Sequence, residues 1–436
     1  MKRIVAGMLG LLLCAGGAGC QPTPAAEPVP YQGHDPVDNA PSTEASEKID
    51  APPRVENSFI DAATGLTVIF DCEVKTPEVS GYSILVAKAV QLSPADFAAA
   101  IEALCPGRPL LQAPVRTQAE WGAYITRCKQ NLGESDPAYI QYLTEQMMNA
   151  PQAYEPVPFH LEDIGAGEAF EAYFPGEEGA YGVLSGTMGG NSFYYSRDQE
   201  AGCIGEDDLE PGLDDAMLGD YQGDFPISAQ EALPYARAAL AALGQADAEQ
   251  AYVGKMCAYA YGGLYAKGWK FVFTHGANGL PSLYASETVT FGGDGLPLPT
   301  LCSPWGQELI LIFVDAQGVL MVNAVNMIDP GETIVENVEL LEFSQLLEGI
   351  RQHLVRTFFY LPERVEQAAI EVTGMELCAA TVTAKNDPEA GRMIPAWKVS
   401  FQTMEGSQTI LNTHSRYFSA IDGSYIEPRI TSAYLG

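Results

Sequence analysis

Residues 309–314 read Leu-Ile-Leu-Ile-Phe-Val, apolar at every position, and this run constrains the chain more than any other feature. A half-exposed strand alternates apolar and polar side chains, whereas a strand apolar on both faces belongs inside a sheet. Asp315-Ala-Gln-Gly318 follows it and reads as a hairpin turn into a second strand over 319–325. The chain has the means to build such a sheet, since 47% of its 436 residues are apolar and 18% charged. That length predicts two or three domains, because single cores rarely grow past about 250–300 residues.

Period-two runs predict strands at 66–72 and 82–90. Ser93 then caps a helix with Pro94 in its first turn and Phe97, Ile101 and Leu104 along one face. Two more helical stretches follow, at 121–132 and 136–148, and then strands broken by glycine at 170–174, 181–184 and 193–195. Ser228-Ala-Gln-Glu231 is a capping box, in which Ser and Glu each satisfy an orphan backbone N–H. Leu233, Ala236, Leu240 and Leu243 form the buried stripe of its helix. Strands are expected at 253–261, 269–274, 287–291 and 334–343, after which Ser344 caps a helix carrying Leu347, Ile350, Leu354 and Phe358. Strands near 370–384, 396–403 and 416–424 close the chain. A short repeat, Trp-Lys-x-x-Phe, opens at Trp269 and again at Trp397. The pattern predicts an α+β fold of repeated modules, each an amphipathic helix packed on a twisted antiparallel sheet. The modules would be an N-terminal region over 55–225, a central one over 226–300 and a C-terminal one over 301–436.

The N-terminus reads as an address. Lys2 and Arg3 precede an apolar stretch, 4–14, that is too short for a permanent membrane helix. Ala18 and Gly19 are small residues ahead of Cys20, an arrangement that resembles the lipobox of bacterial lipoproteins, with Gly17 where Leu is usual. The resemblance implies a signal peptide over 1–19 and palmitate-type lipid attachment at Cys20. The protein would then be held on the outer face of the cytoplasmic membrane. An ordinary cleaved secretory signal is the alternative. Residues 20–54 are rich in Pro, Ala, Glu, Ser and Thr, so they bury too little surface to offset ordering entropy and are expected to form a disordered tether.

Composition excludes some partners. With 23 basic against 56 acidic residues the net charge is −33, which argues against nucleic acid and against adsorption to anionic lipid heads. Setting Cys14 and Cys20 aside leaves Cys72, Cys105, Cys128, Cys203, Cys257, Cys302 and Cys378, and no C-x-x-C occurs. Buried thiols are expected, with one or two disulfides as the alternative.

Catalytic signatures are missing. G-x-S-x-G, S-x-x-K, H-E-x-x-H and the P-loop pattern do not occur, so no catalytic residue, metal or cofactor is assigned. The five histidines (His34, His160, His275, His353, His414) are scattered. His275 and His414 are the pair that folding would have to bring together, although singly satisfied histidines are the commoner case. The acidic stretch from Glu206 to Asp224 has oxygen ligands suited to Ca²⁺ but lacks the D-x-[DN]-x-[DN]-G loop, so a solvated acidic loop is expected. Tyr259, Tyr261 and Tyr265 surround Gly262-Gly263 and are the candidate binding residues, since sugars stack on exposed aromatic faces. Core packing explains them as well, and is the favoured expectation.

The C-terminal third carries a family likeness. The segment 308–314, the turn at Asp315, Val-Glu-Leu-Leu-Glu-Phe over 338–343, Ile-Pro-Ala-Trp over 394–397 and Ala-Ile-Asp-Gly-Ser over 420–424 occur in that order. This resembles extracytoplasmic regulatory proteins of the YycH/YycI type and, more loosely, PepSY-type modules. The whole chain is similar to an uncharacterised family of Gram-positive, clostridial-type lipoproteins with a domain of unknown function. These resemblances imply a non-catalytic lipoprotein that binds or regulates another cell-envelope protein. Capture of a solute or glycan at the surface is the alternative.

Overall fold

The computed structural model describes residues 40, 42, 49–132, 136–176, 180–206, 219–282, 300–384, 387–406 and 408–429. They fall into two compact units, one of 115–154 with 261–263, the other of the remaining residues. In chain order, β1 (Arg54–Ile60), β2 (Thr67–Lys75) and β3 (Ile84–Ala89) lead into helix α1 (Pro94–Leu104). Helices α2 (Gln118–Leu132) and α3 (Pro137–Asn149) come next, then β4 (Ala169–Pro175), β5 (Tyr181–Thr187), β6 (Phe193–Ser196) and β7 (Gly202–Gly205). Helix α4 (Ala229–Ala242) precedes β8 (Glu249–Ala260), β9 (Gly263–Thr274), β10 (Thr300–Gly306), β11 (Leu309–Asp315), β12 (Gly318–Val325) and β13 (Ile328–Val335). Helix α5 (Phe343–Thr357) is followed by β14 (Ala368–Ala384), β15 (Asp387–Glu405), β16 (Gln408–Ser419) and β17 (Tyr425–Arg429).

The smaller unit is a helical hairpin. Asp136 caps α3 through Tyr139 N–H, 3.0 Å away. Trp121 and Tyr124 of α2 meet at 5.6 Å, and Tyr124 meets Tyr261 at 5.1 Å. Arg116 lies over Trp121 and Tyr124, and Arg127 over Tyr261 at 4.7 Å. Cation–π pairing of this kind adds about 0.5–2 kcal/mol per contact. Gly262 has φ +78° and a Cβ there would fall 2.4 Å from Leu132, so only glycine fits.

The larger unit is mostly β, and the expected string of α+β modules does not form. Its strands assemble into two large, predominantly antiparallel sheets. One has nine strands, ordered β1-β2-β14-β15-β16-β17-β10, with β3 pairing both β15 and β13. The other has eight, ordered β4-β5-β6-β12-β11-β9-β8-β7. The modules fail because strand edges must be paired and the partners lie far off in sequence. Phe70 of β2 pairs with Val372 of β14, and Phe193 of β6 with Ala324 of β12.

Each sheet buries both faces. Phe343, Leu346, Ile350 and Leu354 of α5 cover Val68, Val372, Val399, Trp397 and Phe401 on one face of the nine-stranded sheet. Cys378, Ala380, Val382, Ile394 and Tyr417 form the core on the other. On the eight-stranded sheet, Phe97 of α1 and Ala236 and Leu240 of α4 pack with Phe271, Ile310, Ile312 and Val322. Phe313 faces the opposite side with Met256 and Leu320. Strand β11 therefore lies between β9 and β12 with both faces covered, which is why residues 309–314 carry no polar side chain. Ser228 and Glu231 form their capping box at α4. The cap expected at Ser344 is displaced: α5 starts at Phe343 behind Glu342, because Phe343 packs 5.5 Å from Trp397.

The chain crosses between the sheets beside β3, β10 and β13. Val90 N–H donates to Met327 at 2.9 Å and Met327 N–H to Asn191 at 3.1 Å. These bonds stitch a seam between the two sheets.

Candidate functional site

Two places in the larger unit gather chemistry-bearing side chains. The first is the seam. His275 follows β9, Glu308 precedes β11 and Ile328 opens β13, so three crossings bring them together. Glu308 accepts from the His275 backbone N–H at 2.6 Å and the Ile328 N–H at 2.9 Å. Its Oε1 also lies 2.9 Å from His275 Nδ1, while His275 Nε2 lies 3.4 Å from Asp247. The side chains of His275 and Glu308 are 4% and 3% exposed. Burial disfavours the charged imidazole, but the hydrogen bonds and charges of Glu308 and Asp247 outweigh it and raise the pKa above the usual histidine value. A buried histidine–carboxylate pair suggests acid–base chemistry. Here the carboxylate is committed to backbone donors of both sheets, and the pair acts as a clamp. His414 lies in the nine-stranded sheet, 5.6 Å from Phe401, and does not join it.

The second place is a shallow pocket of about 310 Å³ at the start of β9. Leu264, Tyr265, Ala266 and Lys267 line it with Pro226 and with Asp315, Ala316 and Gln317 of the β11–β12 turn. Asp315 pairs with Gly268 in the ladder, where a Cβ would lie 2.0 Å from the Val314 carbonyl, so Gly268 is what lets the strands approach. Trp269 Nε1 donates to the Ile227 carbonyl at 2.7 Å and holds the 226–227 segment over the strand. Arg197 forms a nearly buried ion pair with Asp315, whose Oδ1 accepts from Gln317 N–H at 2.8 Å and shapes the turn. Leu264 and Tyr265 are 41% and 38% exposed, far above the core around them. Burial, with Asp198 close by, still raises the Tyr265 phenol above its usual pKa. The ring is therefore neutral at pH 7, with one edge packed and one open.

The three tyrosines singled out in the sequence go to different uses. Tyr259 donates to Asp220 at 3.0 Å and is half-buried, and burial first raises its pKa. Tyr261 is buried in the helical-hairpin unit, with φ +54° and its carbonyl accepting from Asn131. Tyr265 lines the pocket. The left-handed turn at Tyr261 ends the strand that carries Tyr259. Glu308 was missed, although an acid abutting an all-apolar run was a readable signal. His353 was missed too, although it falls within the helical stripe of Ile350 and Leu354.

Cys20 and the leader lie outside the described residues, as do 207–218 of the acidic stretch. Among the described residues no group of three or more His, Cys, Asp or Glu converges as metal ligands. Cys72, Cys105, Cys128, Cys203, Cys257 and Cys378 form no disulfide. Burial pushes the Cys72 and Cys105 thiols up to about 11 and those of Cys203 and Cys378 to about 12, so they are poor nucleophiles at pH 7. No helix among the described residues is long and apolar enough to cross a membrane.

No family model matches the chain, and no curated protein does. Among solved structures it is similar to an uncharacterized protein from Eubacterium rectale ATCC 33656, at 14% identity and a TM-score of 0.40, over 87% of this chain and 94% of that one. Likeness at that level carries no argument about fold or function.

Proposed function

We propose that this protein is a non-catalytic, extracytoplasmic lipoprotein, anchored at Cys20, that binds another cell-envelope protein through the Tyr265 pocket. The observation that carries the reading is the exposed Leu264–Tyr265 pair on a shallow pocket ringed by Lys267 and Gln317. Pockets that hold small molecules enclose most of the ligand's surface. An open hollow with an aromatic and an aliphatic side chain at its edge suits a protruding side chain of a protein partner, the usual form of an interface hot spot. The clamped state of Glu308 and His275 supports a structural use for the most enzyme-like group. The lipobox-like segment at Cys20 and the clostridial-type lipoprotein likeness support the location and the family.

A second reading is capture of a glycan or solute. It draws on the open Tyr265 ring beside Asp315 and Gln317, since sugars stack on such faces.

In-cell crosslinking of the anchored protein, followed by mass spectrometry, separates the readings. One or two reproducible envelope proteins, depleted for Cys20→Ala and for Tyr265→Ala, support the first and name the partner. Full recovery with Tyr265→Ala removes the pocket from the account. A folded protein that captures no partner but retains glycan in a binding screen supports the second.

A further inference from the structure

Helix α5 is held to its sheet by an apolar stripe with one polar member. His353 lies in that stripe, 2% exposed. Its ring stacks on Tyr425 of β17 with centroids 4.4 Å apart and meets Phe418 of β16 edge-on at 5.2 Å. Among the described residues neither ring nitrogen has a hydrogen-bond partner. An uncharged imidazole tolerates such an aromatic box; an imidazolium there would lose its hydration with no hydrogen bond in return.

The charged groups facing His353 are cationic. Arg356 comes from α5 itself and Arg416 from β16. His414, also on β16, feels the same Arg416. Strand β17 brings Tyr425, and β15 brings Phe401, 5.7 Å from the Arg416 guanidinium. Arg416 is only 9% exposed and donates to the carbonyl of its neighbour Ser415. No carboxylate acts on His353 among the described residues. Burial first, then Arg416 and Arg356, push its pKa down to about 4.

We propose that α5 is an acid-released latch, in which protonation of His353 lifts the helix from the nine-stranded sheet and bares its apolar stripe. The proton adds a further positive charge to a water-poor layer that already holds Arg416, with the exposed Arg356 on the same helix. The open state, where water solvates the imidazolium, is then favoured. The bared surface is Phe343, Leu346, Ile350 and Leu354 on the helix, and Trp397, Phe401 and Phe418 on the sheet. With the folded pKa at about 4 and an open-state value of 6.5, docking is at full strength above pH 6.5 and weakens as pH falls toward 4. Helix α4 is the internal control, since the residues it buries are Ala232, Ala236, Ala239 and Leu240, none of them ionisable.

Hydrogen exchange of the full chain, read by mass spectrometry at pH 7.5 and 4.5 and corrected for intrinsic rates, tests the latch. Opening of 343–357 should rise roughly 70-fold at pH 4.5, while 229–242 stays near its neutral-pH value. His353→Phe, whose ring suits the same aromatic box, should abolish the acid response of α5. Equal responses of the two helices, or an undiminished response in His353→Phe, would overturn the proposal. If that variant does not fold, an NMR titration of the wild-type His353 ring decides. A midpoint below pH 5 supports the latch, and one near 6.5 overturns it.

Discussion

The seam and the pocket differ in what their functional groups are bonded to. At the seam, Glu308 and His275 are buried and saturated, with Glu308 serving backbone donors from two sheets. At the pocket, Asp315 and Arg197 shape the turn, while Leu264 and Tyr265 are the exposed side chains. The seam looks more like an active site by residue type, yet hydrogen-bond accounting makes it architecture. The exposed Leu264 and Tyr265 are what the proposed function rests on.

The comparison is broken most directly at Glu308. Glu308→Ala leaves two buried N–H groups and His275 without their acceptor, so stability should fall by about 3–5 kcal/mol in chemical denaturation. A loss below about 1 kcal/mol would mean the seam is not held by this carboxylate. The next effect comes from acid at His353. Its folded pKa of about 4 against 6.5 in the unfolded chain removes about 3 kcal/mol of stability between pH 6.5 and 4. His353→Phe should flatten that part of the pH–stability curve. His275 responds in the opposite sense. Because its folded pKa is raised, its contribution is complete below about pH 6.5 and is lost as pH rises through the folded value. Melting temperatures measured upward from pH 6 should therefore decline in the wild type, and less so in His275→Gln. The smallest effect on stability belongs to Tyr265→Ala, within about 0.5–1 kcal/mol, because a partly exposed ring contributes little packing.

Part of this was legible in the sequence, and the reason differs by element. The α4 capping box and the double-faced burial of β11 depend on neighbouring residues and follow from local pattern. The pairing of β2 with β14 does not. Period-two alternation in residues 67–75 marks a strand but contains nothing about which edge, some 300 positions later, it will meet. That gap turned two interleaved sheets into a row of modules. The displaced start of α5 has the same origin, since Phe343 is drawn into the helix by Trp397, a contact made across the fold. At the pocket, a tyrosine run was visible, but which ring stays open depends on the left-handed turn at Tyr261 and on the β11–β12 turn beside Tyr265.

The Tyr265 pocket is where the proposed binding is most directly tested. Once crosslinking has named a partner, titration calorimetry of that partner against the purified wild type and Tyr265→Ala is the direct measurement. The account predicts a Kd weakened by at least roughly tenfold, as expected for a hot-spot aromatic, with the melting temperature essentially unchanged. A Kd within twofold of wild type, from equally folded protein, would contradict it.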